Sequence, residues 1–407
     1  MSNKQAAIEI IQRLQQNGFQ ALLAGGCVRD MLLGRPAKDY DVATDAQPAD
    51  VIRLFHRTLK VGAKFGVVIV LVHNHQIEVA TFRSEAGYED GRHPTEVRFT
   101  SAAEDASRRD FTINGMFYDP QKEQVIDYVG GQADLARRVI RTIGDPEERF
   151  GEDYLRMLRA VRFSTRLGFT IEPTTLAAIG RNAAKISRIS GERIAAELEG
   201  ILVHPNRARG AAMLIETNLA RAIFSGFDDE AGLEAVTVLG RLRKTVGFPL
   251  ALAAFFSGCS LEFAQAKCEL LKLSNKQARH MEFLLMHRGE LLDSDMPLAR
   301  LKRFLAEPHF WDLYELERAI QKAAASRSEL TKLARLRCRM RELGNIDVKP
   351  RPLLNGHDLM RLGAVPGPSL GQLAEELYTA QLEGDVMTKE QAEEWVRQWL
   401  SQHRGGQ

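Results

Sequence analysis

No apolar run in the 407 residues approaches the roughly 18–20 needed to cross a bilayer. The first 20 residues mix charged and apolar positions instead of building a signal-peptide core, so the expectation is a soluble, cytoplasmic protein with no membrane partner. Cysteine is scarce. The four that occur, Cys27, Cys259, Cys268 and Cys338, lie too far apart for a CxxC metal site or a dense disulfide framework, and are read as reduced thiols. Net charge is nearly absent as well: 55 Lys+Arg against 53 Asp+Glu leave +2, so bulk charge argues for neither nucleic acid nor membrane, and local patches must decide. Gly 32 and Pro 14 are too few for a low-complexity chain, and no repeat of fixed period is evident. What remains is a globular composition, 44% hydrophobic and 27% charged, long enough for two to four domains at roughly 100–200 residues each.

Up to about residue 140 the hydrophobic period switches between helix and strand, which predicts an α+β domain built on a sheet. Ala6, Ile10, Ile11 and Leu14 form a helical stripe closed by Asn17-Gly18. Ala21–Ala24 reads as a buried strand running into Gly25-Gly26, Cys27–Leu33 as a short helix, and Asp39–Ala43 as the next strand. Val67–Val72 and Ile77–Phe82 predict a hairpin, and the glycine-bearing stretch Ser84–Ser101 a long functional loop. Beyond Ile140 the chain reads as successive amphipathic helices, with Pro350–Pro352 as a late linker.

If Asp39-Tyr40-Asp41 is extended, its two carboxylates share one face while Tyr40 and Val42 take the other, and two such acids repel unless a cation lies between them. Mg²⁺ accepts a few carboxylates plus substrate phosphate oxygens, so the pair suits a metal seat for phosphoryl chemistry, although an isolated Asp-x-Asp is more often a solvated turn. In the segment Gly25–Asp30, about ten residues earlier, Gly25-Gly26 ends a strand where backbone N–H groups can meet an anion, and Arg29 can fork onto phosphate oxygens or pair with Asp30 or Asp39. Glu78 shares a strand face with Ala80 and Phe82, an apolar setting in which a carboxylate needs a partner; a metal is one choice. Arg108-Arg109-Asp110 and the ribbon Asp153, Arg156, Arg159, Arg162 are otherwise ordinary surface ion-pair clusters. Residues 137–209 carry 14 Lys+Arg against 9 Asp+Glu, a local +5 in a chain of +2. Chemistry alone points to metal-assisted phosphoryl transfer on a nucleotide, with Arg29, Arg109, Arg159 and Arg162 as phosphate ligands and Asp153 with Arg156 able to read a base edge. His73 and His75 are read as solvated turn residues, not a zinc pair.

Five motifs, GGCVRDMLLG (25–34), DYD (39–41), RRDFTING (108–115), EDYLRMLRAVRF (152–163) and ISGERIAAELEGIL (189–202), resemble in order and spacing the bacterial tRNA nucleotidyltransferase/poly(A) polymerase family. The resemblance implies a nucleotidyltransferase head (1–140), then all-α neck (141–205), body (206–348) and RNA-binding tail (349–407). It implies template-independent addition of CMP and AMP from CTP and ATP to the tRNA 3′ end. Carried over by position, Asp39 and Asp41 would hold Mg²⁺, with Glu78 a further candidate ligand. Gly25, Gly26, Arg29, Arg109, Arg159 and Arg162 would hold the triphosphate, Asp153 and Arg156 would select the base, and Asp110 would join the catalytic set.

The segment Leu354–Met360 with its following glycines resembles the C-terminal part of CCA-adding enzymes, where backbone N–H groups would touch tRNA phosphates; otherwise it is a turn between helices. The alternatives are a poly(A) polymerase, an enzyme adding only CC or only A with its switch in the Ser84–Ser101 loop, or an RNA-binding protein without catalysis. The intact Asp39 and Asp41 speak against the last.

Overall fold

The computed structural model describes residues 2–59, 65–88, 94–344 and 346–403. The chain divides into two compact units, Met1–Gly240 with Gly258–Ser274, and Arg241–Ser257 with Asn275–Gln407.

In the first unit the predicted apolar stripe folds as α1 (Asn3–Gln16), started by a Ser2 capping box and burying Ala6, Ala7, Ile10, Ile11 and Leu14. It is followed by β1 (Ala21–Ala24), α2 (Gly26–Leu32), β2 (Asp41–Thr44), α3 (Pro48–Leu54), β3 (Thr58–Leu59), β4 (Val67–Val72) and β5 (His75–Thr81). The β4–β5 hairpin turns through His73 and Asn74, both at positive φ, as a two-residue turn of right-handed twist requires. After β6 (Arg83–Tyr88), β7 (Pro94–Phe99) and α4 (Ala102–Ser107), β8 (Met116–Asp119) and β9 (Gln124–Asp127) complete a seven-stranded sheet of order β3-β4-β5-β2-β1-β8-β9. One face packs on α1, and the other buries Leu22, Ala24, Ala43, Phe82 and Phe117 with Ala102 and Ala106 of α4.

The predicted loop Ser84–Ser101 is different: β6 and β7 pair as an antiparallel ribbon from Arg83↔Phe99 to Tyr88↔Pro94. Its glycines and mixed charge conceal the strands, because a two-stranded ribbon outside the main sheet needs no alternating apolar pattern. Gly91 and His93 lie outside the described residues.

The unit continues through α5 (Gly131–Arg137), β10 (Val139–Ile140), α6 (Pro146–Glu152), α7 (Leu155–Leu167), β11 (Thr170–Ile171), α8 (Pro173–Asn182), α9 (Gly191–Leu202) and α10 (Arg207–Glu216). The short parallel pair β10–β11 interrupts an otherwise helical succession. The predicted helix over 152–163 is broken at Asp153, whose extended backbone (φ −153°, ψ 104°) ends α6, and its Oδ1 accepts the Leu155 N–H at the start of α7. α7 packs on α9 and α10.

The second unit is helical. Leu354, Leu359, Leu373, Leu377, Val396 and Trp399 form a core of their own, and the Pro350–Pro352 linker is tied down by Tyr378, whose hydroxyl donates to the Pro350 carbonyl. Asn355 caps the helix Gly356–Arg361, taking the N–H groups of His357 and Asp358 while Asp358 takes that of Asn355. Three of the N–H groups expected to meet phosphate, those of Asn355, His357 and Asp358, are thus engaged locally. Among the described residues no helix is long and apolar enough to cross a membrane.

Candidate active site

Sheet register builds the acidic corner. Ala24 at the end of β1 lies opposite Asp41 at the start of the antiparallel β2, so the glycine turn at Gly25 and the carboxylate of Asp41 emerge at the same sheet end. β5 runs parallel to β2 with Val42 beside Val79, which sets Glu78 next to Asp41 on the neighbouring strand. Asp39 and Tyr40 precede β2 instead of belonging to it, so the ladder of β2 does not itself fix the side of Asp39; the two acids meet in the hollows that both of them line. Glu78 is also differently placed from the expectation. The apolar cover begins at Phe82, and at its own position the face is open, leaving Glu78 exposed.

Asp39, Tyr40, Asp41 and Glu78 line a recess of about 190 Å³ with Asn3, Ile69 and Gln76. Asp39 and Asp41 also line an adjoining cavity of about 430 Å³, together with Gly26, Arg29 and Arg162. Asp41 is reached by solvent through the cavity yet walled by protein on its other sides. That enclosure, with repulsion from Glu78 and Asp39 and only Arg109 opposing, pushes its carboxyl up to about 6. A divalent cation would relieve that repulsion, so the donor set fits one. Among the described residues no three His, Cys, Asp or Glu side chains form a cage. Cys27, on the cavity wall, is buried, and burial pushes its thiol up to about 11, far from a reactive thiolate.

The cationic side is built around one aromatic ring. Phe163 of α7 has the guanidiniums of Arg162, Arg29 and Arg159 at 4.4, 5.4 and 5.5 Å from its centroid. Three cations on one ring would repel, and each has its own acceptor. Arg29 bonds Asp30 at 2.8 Å and the Asn114 amide oxygen at 2.7 Å. Arg159 is held by Asp110 at 2.7 Å, and Arg162 by Glu197 of α9 at 2.6 Å. Gly200, one turn beyond Glu197, gives Arg162 its bed: a Cβ there would lie 2.5 Å from the Arg162 Cδ.

Arg109 sits over Phe117 at 5.1 Å and beside Gly25, where a Cβ would meet its Nη1 at 2.9 Å. Gly25 has φ +74°, so glycine is required there twice over. Both Arg108 and Arg109 are clamped by Asp105, whose buried carboxylate also accepts the Arg83 N–H at the start of β6. Against the cost of burial, Arg109 and Arg108 hold the Asp105 carboxyl below its ordinary value.

Asp110 is buried and does not line the cavity. It accepts from the Phe111 N–H, from Asn114 and from Arg159, and Arg159 and Asn114 hold its carboxyl low despite the burial. The side chains of Asp153 and Arg156 do not pair with each other; only the Arg156 backbone N–H reaches the Asp153 carbonyl, at 3.0 Å. Asp153 is bound by Arg193 of α9 at 2.7 Å, and Arg156 by Glu152. Of the expected residues, then, Gly26, Arg29, Asp39, Asp41 and Arg162 meet in one cavity, while Gly25, Arg109, Asp110 and Arg159 form the network behind it, and Asp153 and Arg156 stand at the α6–α7 break. Asp105, Asn114, Glu197 and Arg193 escape sequence reasoning; each acts through a partner distant in the chain or across a turn, which spacing alone does not reveal.

Comparison with known proteins agrees with this architecture. Residues 21–141 match the family model described as "Poly A polymerase head domain", and residues 168–230 the one described as "Probable RNA and SrmB- binding site of polymerase A". A CCA-adding enzyme from Lacticaseibacillus paracasei is 37% identical over 380 residues, covering 91% of this chain and 90% of the relative. Another, from Geobacillus sp., is 35% identical over 401 residues and 96% of each chain. The chain belongs to the CCA-adding enzyme family. Family membership makes it a tRNA nucleotidyltransferase. In structure, it superposes on the Bacillus stearothermophilus CCA-adding enzyme in complex with CTP with a TM-score of 0.82 at 31% identity, over 99% of both chains. The Thermotoga maritima CCA-adding enzyme complexed with tRNA shares the fold, with a TM-score of 0.71 at 21% identity over 97% of this chain and 95% of that one.

Proposed function

We propose that this chain completes tRNA 3′ ends by adding CMP and AMP from CTP and ATP, releasing pyrophosphate. The observation that carries the reading is the convergence of Asp39 and Asp41 with Gly26, Arg29 and Arg162 on one cavity of about 430 Å³. Asp39 and Asp41 would hold Mg²⁺, with Glu78 within the same recess; when bound, the ion supplies Lewis-acid stabilisation of charge at the α-phosphate. The turn at Gly25 and Gly26 leaves room for phosphates against the backbone, and Arg29, Arg109, Arg159 and Arg162 bear on the negative charge that grows on the leaving pyrophosphate. Their pre-formed contacts with Asn114, Asp105, Asp110 and Glu197 keep the guanidiniums aimed before substrate arrives.

Base choice falls to Asp153 and Arg156. A carboxylate accepts from the exocyclic amino group that cytosine and adenine share, and a guanidinium donates to a neighbouring ring acceptor, so no nucleic-acid template is needed. Asp110 serves as a positioning group through Arg159. In domain terms the head is 1–140, the neck 141–205, the body 206–348 and the tail 349–407.

The test is incubation of the full chain with Mg²⁺, labelled CTP or ATP, and tRNA lacking its 3′ CCA. Products extended by C, C and A in order are expected, with Asp41→Ala abolishing them. Extension that stops after CC, adds A alone, or proceeds equally well on unstructured RNA would overturn the assignment.

A further inference from the structure

The same cavity has a second cationic wall that the nucleotide does not account for. Arg35 and Lys38, from the segment between α2 and β2, and Arg166, from the last turn of α7, line it together with His204 from the α9–α10 connection. All three long cations are exposed, and among the described residues none makes an ion pair. The contrast with the other arginines of the site is sharp, since Arg29, Arg109, Arg156, Arg159, Arg162 and Arg193 each have an acidic partner. Of the acids lining this cavity, Asp30 is bound by Arg29, and on the nucleotidyltransferase reading Asp39 and Asp41 face the cation.

His204 senses the concentration of charge. Burial, then Arg166, Arg207 and Arg35, lower its affinity for a proton, so it is neutral at physiological pH. Its Nδ1 accepts the Asn206 N–H at 3.1 Å, which places the proton of the neutral ring on Nε2 and leaves that nitrogen a donor. Three unneutralised cations and one neutral donor on a common wall make an anion site.

We propose that Arg35, Lys38, Arg166 and His204 form a second phosphate site, which takes backbone phosphodiesters at the 3′ end of the RNA strand being extended. This rests on the nucleotidyltransferase reading above and adds to it the seat of the second substrate. A triphosphate is the other source of the same chemistry, but the cradle at Gly26, Arg29 and Arg162 already supplies that ligand. His204 also falls within residues 168–230, the stretch whose family model is described as an RNA-binding site. The position suits the reaction, because a strand whose 3′-hydroxyl attacks beside Asp39 and Asp41 must lay its last phosphates along the same cavity.

The test is steady-state kinetics of the full chain with tRNA lacking CCA, varying tRNA and CTP separately between 50 and 200 mM KCl (about the range over which phosphate binding weakens steeply). Incorporation by the wild type checks the underlying activity; the variants check the site. Arg35→Ala with Arg166→Ala is expected to raise KM for tRNA at least ~10-fold and leave KM for CTP within about twofold. Adding Lys38→Ala should flatten the slope of log(kcat/KM) for tRNA against log[salt] by about two to three, near 0.7–0.9 for each phosphate no longer neutralised, while Lys38→Arg keeps the slope. A rise confined to the CTP KM would assign the cluster to the triphosphate and overturn the proposal, as would kinetics and salt slopes equal to the wild type.

Discussion

Asp110 and Arg159, 49 positions apart, are joined by a hydrogen bond from Nε at 2.8 Å and an ion-pair contact from Nη2 at 2.7 Å, both to the same carboxylate oxygen. This contact ties the turn after α4 to the middle of α7, and Asn114 extends it to Arg29 on α2. One buried carboxylate thereby sets the aim of cations from two helices. Asp110→Asn keeps the volume and removes the charge, so Arg159 should swing free and kcat/KM for CTP fall on the order of 10²-fold, the scale of an ångström-level misplacement. Losing hydrogen bonds to a charged partner should cost roughly 1.5–3 kcal/mol in urea denaturation. Unchanged CTP kinetics alongside lowered stability would show that Asp110 only supports the fold.

Asp41 works in the opposite direction. Its enclosure beside Glu78 and Asp39 makes its charge unfavourable, and function keeps it there. Asp41→Asn is expected to raise the melting temperature by a few degrees in chelator, and to lose both activity and the further stabilisation that Mg²⁺ gives the wild type. Thermal melts with and without Mg²⁺ check this. A variant that melts below the wild type in chelator would mean that the acids are held by contacts other than a cation.

Asp105 and Asp110 fix the acid side of the stability profile. Both carboxyls are held below their ordinary value in the folded chain, so each contributes stability that is fully present above the unfolded-state value of about 3.9 and is lost as pH falls towards the folded one. Chemical denaturation between pH 3 and 6, carried out in Asp41→Asn to remove the opposing titration of that carboxyl near 6, should show a plateau above about pH 5 and a fall below about pH 4. Asp105→Asn should lower the plateau and make the fall shallower. A slope unchanged in that variant would place the acid-labile groups elsewhere.

How far the sequence discloses this site depends on the reach of each interaction. The α1 stripe, the buried β1 and the β4–β5 hairpin are legible because their signals repeat within ten or so residues. The acids 39 and 41 are legible as a pair, but for an incomplete reason, since β2 starts only at Asp41. For Glu78 the sequence indicates the right face and the wrong surroundings, because periodicity tells which way a side chain points and not where the covering layer ends. The i,i+3 ribbon on α7 suggests ion pairs within one helix. In fact Arg159 and Arg162 answer to Asp110 and Glu197 on other elements, and Asp153 to Arg193. Such pairs exist only once α7 packs on its neighbours, so no local pattern can announce them.

Arg193 is expected to govern nucleotide choice without touching the cavity wall. It holds the Asp153 Oδ2 at 2.7 Å from α9, while among the described residues Oδ1 has only the Leu155 N–H at the start of α7. Arg193→Ala should let that carboxylate turn, and the preference for CTP and ATP over UTP and GTP should fall about tenfold, the worth of one well-aligned base contact. Single-nucleotide incorporation ratios measure it. Equal loss on all four nucleotides would reduce Arg193 to a general support of the α6–α7 break.

Gly200 offers the cleanest separation of site geometry from stability. On helical propensity alone, Gly200→Ala should stabilise α9 by about 0.8–1 kcal/mol. Its new Cβ, however, would sit 2.5 Å from the Arg162 Cδ, so the guanidinium must leave its place between Glu197 and Phe163. Because Arg162 is a flexible side chain, the helix can keep its packing while the arginine moves. The variant is therefore expected to melt at or near the wild-type temperature and to bind CTP at least ~10-fold more weakly, about 1.4 kcal/mol. Calorimetric titration with CTP, read beside the melting curve, tests the pair of outcomes. Weaker binding together with a large loss of stability would mean that α9 itself had shifted, and wild-type affinity would mean that Arg162 reaches the triphosphate from more than one position.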